Sequence, residues 1–226
     1  LGAEGISRVT GLHHIRRGYA SLAGDLRALV AGDTISDLRT GAQPAIMAKL
    51  LASSTDVITI IGTGLQGYMS LLCMSKVLPL KEVRLSDISE AAMDRFIQRF
   101  PDAAFKFVKC ASNEKACRGA DVIITVTNAN ANLVEYDWIK KGALVMTMGS
   151  FRETSFDCVR KADRIATDHV GQSLHRGNVK ELAELGEITA ESFDIVIPDV
   201  LAGKQAARVN ADDYIYAQII GTGMLD

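Results

Sequence analysis

At 226 residues, 48% of them hydrophobic and 23% charged, the chain suits one large domain, or one domain plus part of another, with ample apolar material for a core. A net charge of −2 with no basic run gives no electrostatic case for binding nucleic acid or an anionic membrane. No apolar stretch approaches the roughly 20 residues of a membrane-spanning helix, and the four cysteines, Cys73, Cys110, Cys117 and Cys158, form no C-x-x-C pair and have no histidine at metal-ligand spacing, so they read as buried thiols of a cytoplasmic protein without a metal site.

In chain order, residues 1–32 match no part of a nucleotide-binding fold. His13 to Arg17 is a polar, basic patch. Tyr19 to Leu22 and Leu26 to Val30 read as short strands joined through Ala23, Gly24 and Asp25 as a hairpin. His13 and His14 are adjacent, and on an extended strand they point to opposite faces, so at most one of them serves a given site. The chain starts at Leu1 with neither an initiator Met nor a signal peptide, which reads as a fragment.

The segment A-G-D-T-I-S-D-L-R-T-G-A, Ala31 to Ala42, leads into a helical run to Leu51. Asp33 or Thr34 can cap that helix, and Gly41 is expected to interrupt it just after Arg39 and Thr40. Arg39 offers paired donors in a fixed fork, the natural clamp for a substrate carboxylate; a surface salt bridge is the competing reading.

Val57 to Gly67, V-I-T-I-I-G-T-G-L-Q-G, is the centre of the chain. Its β-branched start fits a strand buried on both faces, and the spacing G-x-G-x-x-G falls on Gly62, Gly64 and Gly67 where that strand must turn into a helix. Gly62 takes the tight turn, Gly64 leaves space for a pyrophosphate, and Gly67 lets the helix lie close to the strand. Thr63, Leu65 and Gln66 lie among them, where free N–H groups and the positive end of a helix dipole meet phosphates. An amphipathic run from Leu65 to Leu78 follows, and then a strand, Glu82 to Ser86. Asp87 ends that strand 20 residues after the last glycine (87 − 67). Its carboxylate is placed to accept bonds from a ribose diol. Ile88 and Ser89 follow it with no basic residue, which favours NAD over NADP. Arg84 points away from Asp87 by period two.

Helices and strands then keep alternating: helix Ser89 to Phe100, strand Phe105 to Val108, helix Asn113 to Arg118, and strands Asp121 to Thr127, Ala143 to Met148 and Arg164 to Thr167. That alternation predicts an α/β fold, a doubly wound, mostly parallel Rossmann-type sheet. Ligands in such sheets lie at the carboxyl ends of the strands, which makes Thr127 and Asn128 at one tip and Met148, Gly149 and Ser150 at another candidate contacts. Asp168 and His169 resemble an acid–base pair, but strand-end and helix-cap roles suit neighbours in sequence better. Short helices follow from His169. Tyr214 to Ile220 reads as a last strand and Gly221 to Asp226 as a helix start.

Together these marks resemble the ornithine cyclodeaminase and mu-crystallin family. The resemblance rests on D-L-R-T-G-A at Asp37 to Ala42, I-I-G-T-G-L-Q-G at Ile60 to Gly67, G-A-D-V-I-I-T-V-T at Gly119 to Thr127, L-V-M-T-M-G-S at Leu144 to Ser150 and the late Gly221. It implies a nicotinamide cofactor, NAD, on the glycine-rich turn. It also implies that Arg39 holds the carboxylate of an amino acid or cyclic imine, that Thr40 touches the cofactor phosphates and that Gly221 is among the cofactor contacts. In the cyclodeaminase, hydride leaves the α-carbon of ornithine, the side-chain amine attacks the imine, ammonia departs, and the hydride returns to give proline. Family members are longer, and their two ends pack together as a substrate and dimerisation domain. The expected division is therefore residues 1–50 in that domain, 51–204 in the dinucleotide-binding domain, and 205–226 returning to the first, in a homodimer truncated at both ends.

Two departures bear on the chemistry. The deaminase carries an aspartate where Phe151 follows Gly149 and Ser150 here, and phenylalanine can polarise neither an amine nor a water. Glu153, from the same loop, is the candidate replacement. The family's further lysine and arginine would precede Leu1. An ornithine cyclodeaminase-like enzyme is the first reading. The alternatives are a net oxidoreductase on a cyclic imine or an alanine-like amino acid, and a mu-crystallin-like cofactor-binding protein with little turnover.

Overall fold

The structure, a computed structural model, describes residues 17–20, 26–30 and 32–221. It opens with two antiparallel strands, β1 (Arg17–Ala20) and β2 (Leu26–Val30). Both strands read from the sequence are present, the first beginning at Arg17; His13, His14 and the residues joining the strands lie outside the described residues.

Helix α1 (Asp33–Leu51) is unbroken for 19 residues. The expected interruption at Gly41 does not occur, because that glycine serves helix packing. It is buried against α2 (Leu65–Val77), and a Cβ built on it would lie 2.5 Å from the backbone carbonyl carbon of Met69. Neither Asp33 nor Thr34 caps the helix. Gly32 takes the cap position, and its carbonyl accepts from the Ser36 N–H at 2.8 Å.

Eight parallel strands form the main sheet in the order β5-β4-β3-β6-β7-β10-β8-β9. They are β3 (Val57–Ile61), β4 (Glu82–Ser86), β5 (Lys106–Lys109), β6 (Val122–Thr125), β7 (Leu144–Thr147), β8 (Arg164–Thr167), β9 (Ile195–Val196) and β10 (Ile215–Gln218). The chain winds outward from β3 to β5, then restarts on the other side with β6. The gap between the ends of β3 and β6 is thus the switch point at which α/β sheets bind ligands. Helix α3 (Glu90–Gln98) starts where expected, with the Ser89 hydroxyl accepting from the Ala92 N–H at 3.2 Å. Shorter helices cover the rest: α4 (Asn113–Cys117), α5 (Phe156–Arg160), α6 (Val170–Ser173), α7 (Lys180–Glu184) and α8 (Ile197–Leu201).

Period-two alternation explains why the strands are apolar throughout. Ile60, Ile124, Met146 and Ala217 face one core, under α1, α2 and α3. Ile61, Ile123, Val145 and Tyr216 face the other, with Cys117 of α4, Cys158 of α5 and Leu182 of α7. A sheet covered on both faces has no polar side, so its strands lose the alternation of polarity seen at a solvated sheet. Of the four cysteines only Cys117 and Cys158 are buried, where desolvation pushes their thiols up to about 12 and about 11; Cys73 and Cys110 are half-buried. No helix among the described residues is long and apolar enough to cross a membrane.

The expected return of residues 205–226 to a second domain needs correction. Strand β10 lies inside the sheet, between β7 and β8, so residues 57–168 do not close a sheet of their own. All four β10 residues are buried, and Tyr216 has its hydroxyl 3.1 Å from that of Thr147. Only an interior position covers such a strand on both faces and both edges. Arg208 ties the approach to β10 onto the sheet, its Nη1 donating to the Asp213 carbonyl at 2.6 Å and its Nε to the Leu51 carbonyl at 2.5 Å. Beyond β10 the chain does reach α1: Gly221 lies against Arg39 and Gln43.

Candidate functional site

The three glycines of the turn differ in what a side chain would meet, and the differences assign their roles. Gly62 has φ +102°, and a Cβ there would lie 2.7 Å from the Val126 carbonyl oxygen, so the turn sits directly against the tip of β6. Gly67 is jammed under the turn, its Cβ position 2.3 Å from the Gly62 carbonyl oxygen. Around Gly64 nothing lies within 4 Å, and it stands at the cap of α2, where the first N–H groups of a 13-residue helix have no helical partner. Two glycines permit close packing, then, and the one between them opens onto a cleft.

That cleft, about 660 Å³, runs over the ends of β3, β4 and β6 and includes Gly62, Gly64, Asp87, Ile88, Thr127 and Asn128 in its lining. Asp87 is braced from both sides. Its Oδ2 accepts from the Thr63 N–H at 2.7 Å and the Thr63 hydroxyl at 2.8 Å, and its Oδ1 accepts from the Ser89 N–H at 3.0 Å. Burial pushes this carboxyl up, but the bonds from Thr63, Ser89 and Ile88 outweigh it and hold the group below the ordinary carboxylate range. Asp87 thus stands as a fixed negative charge beside the glycine turn. Arg84 is engaged elsewhere, with Glu82 at 2.7 Å and the Arg118 carbonyl at 2.6 Å. The open space at Gly64, the positive φ at Gly62 and the anion beside them fit the diphosphate and ribose of a dinucleotide.

The motif at Asp37 to Ala42 is docked onto this turn. Gln66 Nε2 donates to Asp37 Oδ1 at 3.1 Å, so Gln66 faces α1 and not the cleft, and its Oε1 is buried without a partner. Leu65 is half exposed. The Thr40 hydroxyl donates to the Ser36 carbonyl at 2.7 Å and must leave it to reach a phosphate. Arg39 lies across the sheet from Asp87, beyond the end of β10, with its Nη1 2.7 Å from the Cβ position of Gly221. Asp168, at the tip of β8, fixes that corner by accepting from the Gly221 N–H at 2.7 Å, the Ile220 N–H at 3.0 Å and Gln43 Nε2 at 3.0 Å. His169 caps α6, its Nδ1 accepting from the Gln172 N–H at 3.2 Å. The strand-end and helix-cap roles read from the sequence are the ones observed.

Glu153 does not reach into the site. It is fully buried, and each carboxylate oxygen holds one backbone N–H and one hydroxyl: Oε1 those of Thr127 at 2.7 and 2.8 Å, Oε2 the Gly149 N–H at 2.8 Å and the Thr125 hydroxyl at 2.9 Å. Burial pushes its carboxyl above the ordinary range against the pull of these four bonds. The expectation that Glu153 replaces the missing aspartate is corrected accordingly, since a carboxylate walled off from the cleft touches no substrate. Its work is to clamp the tips of β6 and β7 together, which positions Thr127, Gly149 and, one residue on, the exposed Ser150. Phe151 is exposed, and Met148 is half-buried with its sulfur 3.8 Å from the Ser70 hydroxyl. No three His, Cys, Asp or Glu residues are grouped to hold a metal ion among the described residues.

Sequence reasoning passed over the loop L-H-R-G-N, Leu174 to Asn178. Here Asn178 accepts from the Glu153 and Thr154 N–H groups at 3.0 and 2.9 Å, and Arg176 donates to the Ser150 hydroxyl at 3.1 Å. One signal was available: Gln218, a lone amide in the apolar run Y-I-Y-A-Q-I-I, must find partners when buried. Those partners are Arg176 in this loop and Ser173 and Val179 on either side of it.

Comparison with known proteins gives a consistent picture. The ornithine cyclodeaminase/mu-crystallin family profile matches residues 19–224. The ornithine cyclodeaminase of Brucella suis biovar 1 is 30% identical over 215 residues, 91% of this chain and 58% of that protein. The ketimine reductase mu-crystallin of Mus musculus is 31% identical over 204 residues, 80% of this chain and 64% of that protein. Among solved structures, an archaeal alanine dehydrogenase dimer with bound NAD superposes with a TM-score of 0.84 at 27% identity, covering 91% of this chain and 65% of that one. The chain spans about 60% of the length of curated relatives it matches.

Proposed function

Because the chain belongs to the ornithine cyclodeaminase/mu-crystallin family, we propose that it is the dinucleotide-binding part of a nicotinamide-dependent enzyme of amino-acid metabolism, with NAD as the cofactor and an α-amino acid or cyclic imine as the substrate. The observation that carries this reading is the coupling of two features. The open, glycine-lined turn at Gly64 is packed through Gly41 and Asp37 onto the helix that bears Arg39. A nicotinamide cofactor held there supplies hydride transfer. The chain's own residues do the rest. The turn and the start of α2 hold the phosphates, Asp87 accepts from the ribose diol, and the tips of β6 and β7 set the floor on which the substrate lies. Arg39 holds the substrate carboxylate in a planar fork, which fixes both its position and its rotation.

Within that class the environment of Glu153 favours net oxidoreduction over ornithine cyclisation. Cyclisation needs a group at the β7 tip that handles the protons of an amine and of departing ammonia. Phe151 cannot do so, and Glu153 is walled off with both oxygens engaged. In the same reading α1 and the hairpin β1-β2 belong to the substrate and dimerisation domain of a cytoplasmic homodimer.

The test is to incubate the protein with NAD and a panel of amino acids and to follow ammonia and NADH together. NADH formed with substrate consumption supports net oxidation, and ammonia without NADH supports cyclisation. Failure to bind either reduced cofactor overturns the proposal. Arg39→Ala should lose about 2–5 kcal/mol of substrate binding, and Arg39→Lys most of it, with cofactor affinity unchanged. Near-normal kinetics in both variants would move the carboxylate clamp elsewhere.

A further inference from the structure

The loop from Ser173 to Val179 is buried at both ends and reaches solvent only at His175 and Arg176, and buried polar groups hold it. Gln218, 1% exposed in the middle of the sheet, donates from Nε2 to the carbonyls of Ser173 at 3.0 Å and Arg176 at 2.9 Å. Its Oε1 accepts from the Val179 N–H at 2.9 Å. Gly177 has φ +70° and packs on the same amide, with its Cβ position 3.0 Å from Gln218 Oε1. Asn178, also 1% exposed, joins the loop to the Glu153 backbone. A buried amide in a strand costs stability unless every polar atom is bonded, so the arrangement imposes one backbone course on residues 173–179.

That course leaves two side chains exposed, His175 and Arg176, and the Arg176 guanidinium is the one that bonds the tip of β7. Its recorded bond is from Nη2 to the Ser150 hydroxyl at 3.1 Å, and no carboxylate lies within ion-pairing distance of it among the described residues. Arg39 lies at the tip of the adjacent strand. Strands β7 and β10 pair with Thr147 opposite Gln218, and Ser150 and Gly221 each lie three residues beyond that pair. Neighbouring strands are about 4.8 Å apart. Two guanidinium groups are thus brought, by neighbouring strands, to the same carboxyl-terminal edge of the sheet, Arg176 over β7 and Arg39 over β10.

We propose that Arg176 is a specificity-determining residue: it forms a second anion subsite, and the substrate is an α-amino or α-imino acid bearing a second carboxylate. This rests on the reading of Arg39 as the clamp for the α-carboxylate. A guanidinium recognises a carboxylate through paired donors, and two held on one rigid edge select for the separation between two such groups. The cation bonds Ser150, one residue before Phe151, the position where the deaminase pattern has an aspartate, so the substrate's distal end meets a positive charge beside a position that carries no acid.

The experiment compares L-aspartate and L-glutamate with L-alanine in two arms, for the unmodified protein, Arg176→Ala and Arg176→Lys. Calorimetric titration into the complex with reduced cofactor reads binding, and kcat/KM with NAD reads turnover. The dicarboxylates should be preferred at least tenfold. Arg176→Ala should lower that preference at least tenfold through the dicarboxylates, with alanine and NADH affinity changed less than twofold, and Arg176→Lys should restore part of it. Thermal unfolding should not move, since the side chain is exposed and makes one recorded bond. A dicarboxylate preference that survives Arg176→Ala, or no such preference in the unmodified protein, overturns the proposal. Loss of cofactor binding in every variant would instead count against the nicotinamide reading. The calorimetric arm decides the role of Arg176 even where turnover is absent.

Discussion

The three glycines of the turn allow folding and binding to be separated by single methyl groups. Gly64→Ala adds a Cβ with nothing within 4 Å, at φ −75° and ψ −166°, an extended conformation open to alanine. The folded state loses nothing, and restriction of the unfolded chain should leave stability equal or higher by about 0.4–1 kcal/mol. Cofactor affinity should nevertheless fall at least tenfold, about 1.4 kcal/mol, because the methyl fills the space a diphosphate needs. Gly67→Ala behaves oppositely. Its Cβ meets the Gly62 carbonyl oxygen at 2.3 Å, a backbone atom that cannot swing aside, so the cost falls on the fold at about 1–3 kcal/mol or more. Gly62→Ala meets both a positive φ, itself about 1–3 kcal/mol, and the Val126 carbonyl oxygen at 2.7 Å. In a chain of this length each kcal/mol lowers Tm by about 2–4 °C. Thermal unfolding of the three variants, paired with NADH fluorescence titration, reads both effects. The reasoning fails if Gly64→Ala keeps normal NADH affinity, or if it unfolds as early as Gly67→Ala.

Three further outcomes follow from the same geometry. Glu153→Gln replaces one carboxylate oxygen by an NH₂ and leaves one fixed backbone donor, that of Thr127 or Gly149, unpaired, for a loss of about 1–3 kcal/mol by denaturant unfolding; an unchanged midpoint would remove Glu153 as the clamp of the strand tips. NADH should bind more tightly than NADPH, because the charge on Asp87 repels a 2′-phosphate, and Asp87→Ser should narrow the ratio; tighter NADPH binding to the unmodified protein would refute this. Burial raises the Asp121 carboxyl, but the Lys140 ammonium at 2.5 Å and the Val57 N–H at 2.8 Å outweigh it and hold the group low. The folded value lies below the unfolded one, so the stability it confers is present above the unfolded carboxylate range, near about pH 3.9, and is lost as pH falls through the folded value. Asp121→Asn should therefore flatten the acid limb of a stability profile, and a limb of unchanged slope would count against the pair.

What the sequence determined by itself is what nearest neighbours along the chain decide. The turn at Gly62 to Gly67, strand β4 with Asp87 just after its end and the cap at Ser89 depend on spacing over a few residues, and they stand where the pattern put them. The family resemblance rested on the same short motifs. Tertiary structure decided everything that depends on which strand lies beside which. Gly41 reads as a helix breaker until α2 is seen packed against it. Residues Ile215 to Gln218 read as a strand, but only pairing with both β7 and β8 places them inside the sheet. Glu153 reads as a loop acid open to a substrate, and it is a buried clamp because donors 26 and 28 positions before it, and Gly149, converge on its two oxygens. Arg176 carried no motif at all; a buried amide 42 residues later aims it at the strand tips. Local conformational preference acts along the chain and can be read there, whereas the burial of a polar group depends on partners that only the folded sheet brings within reach.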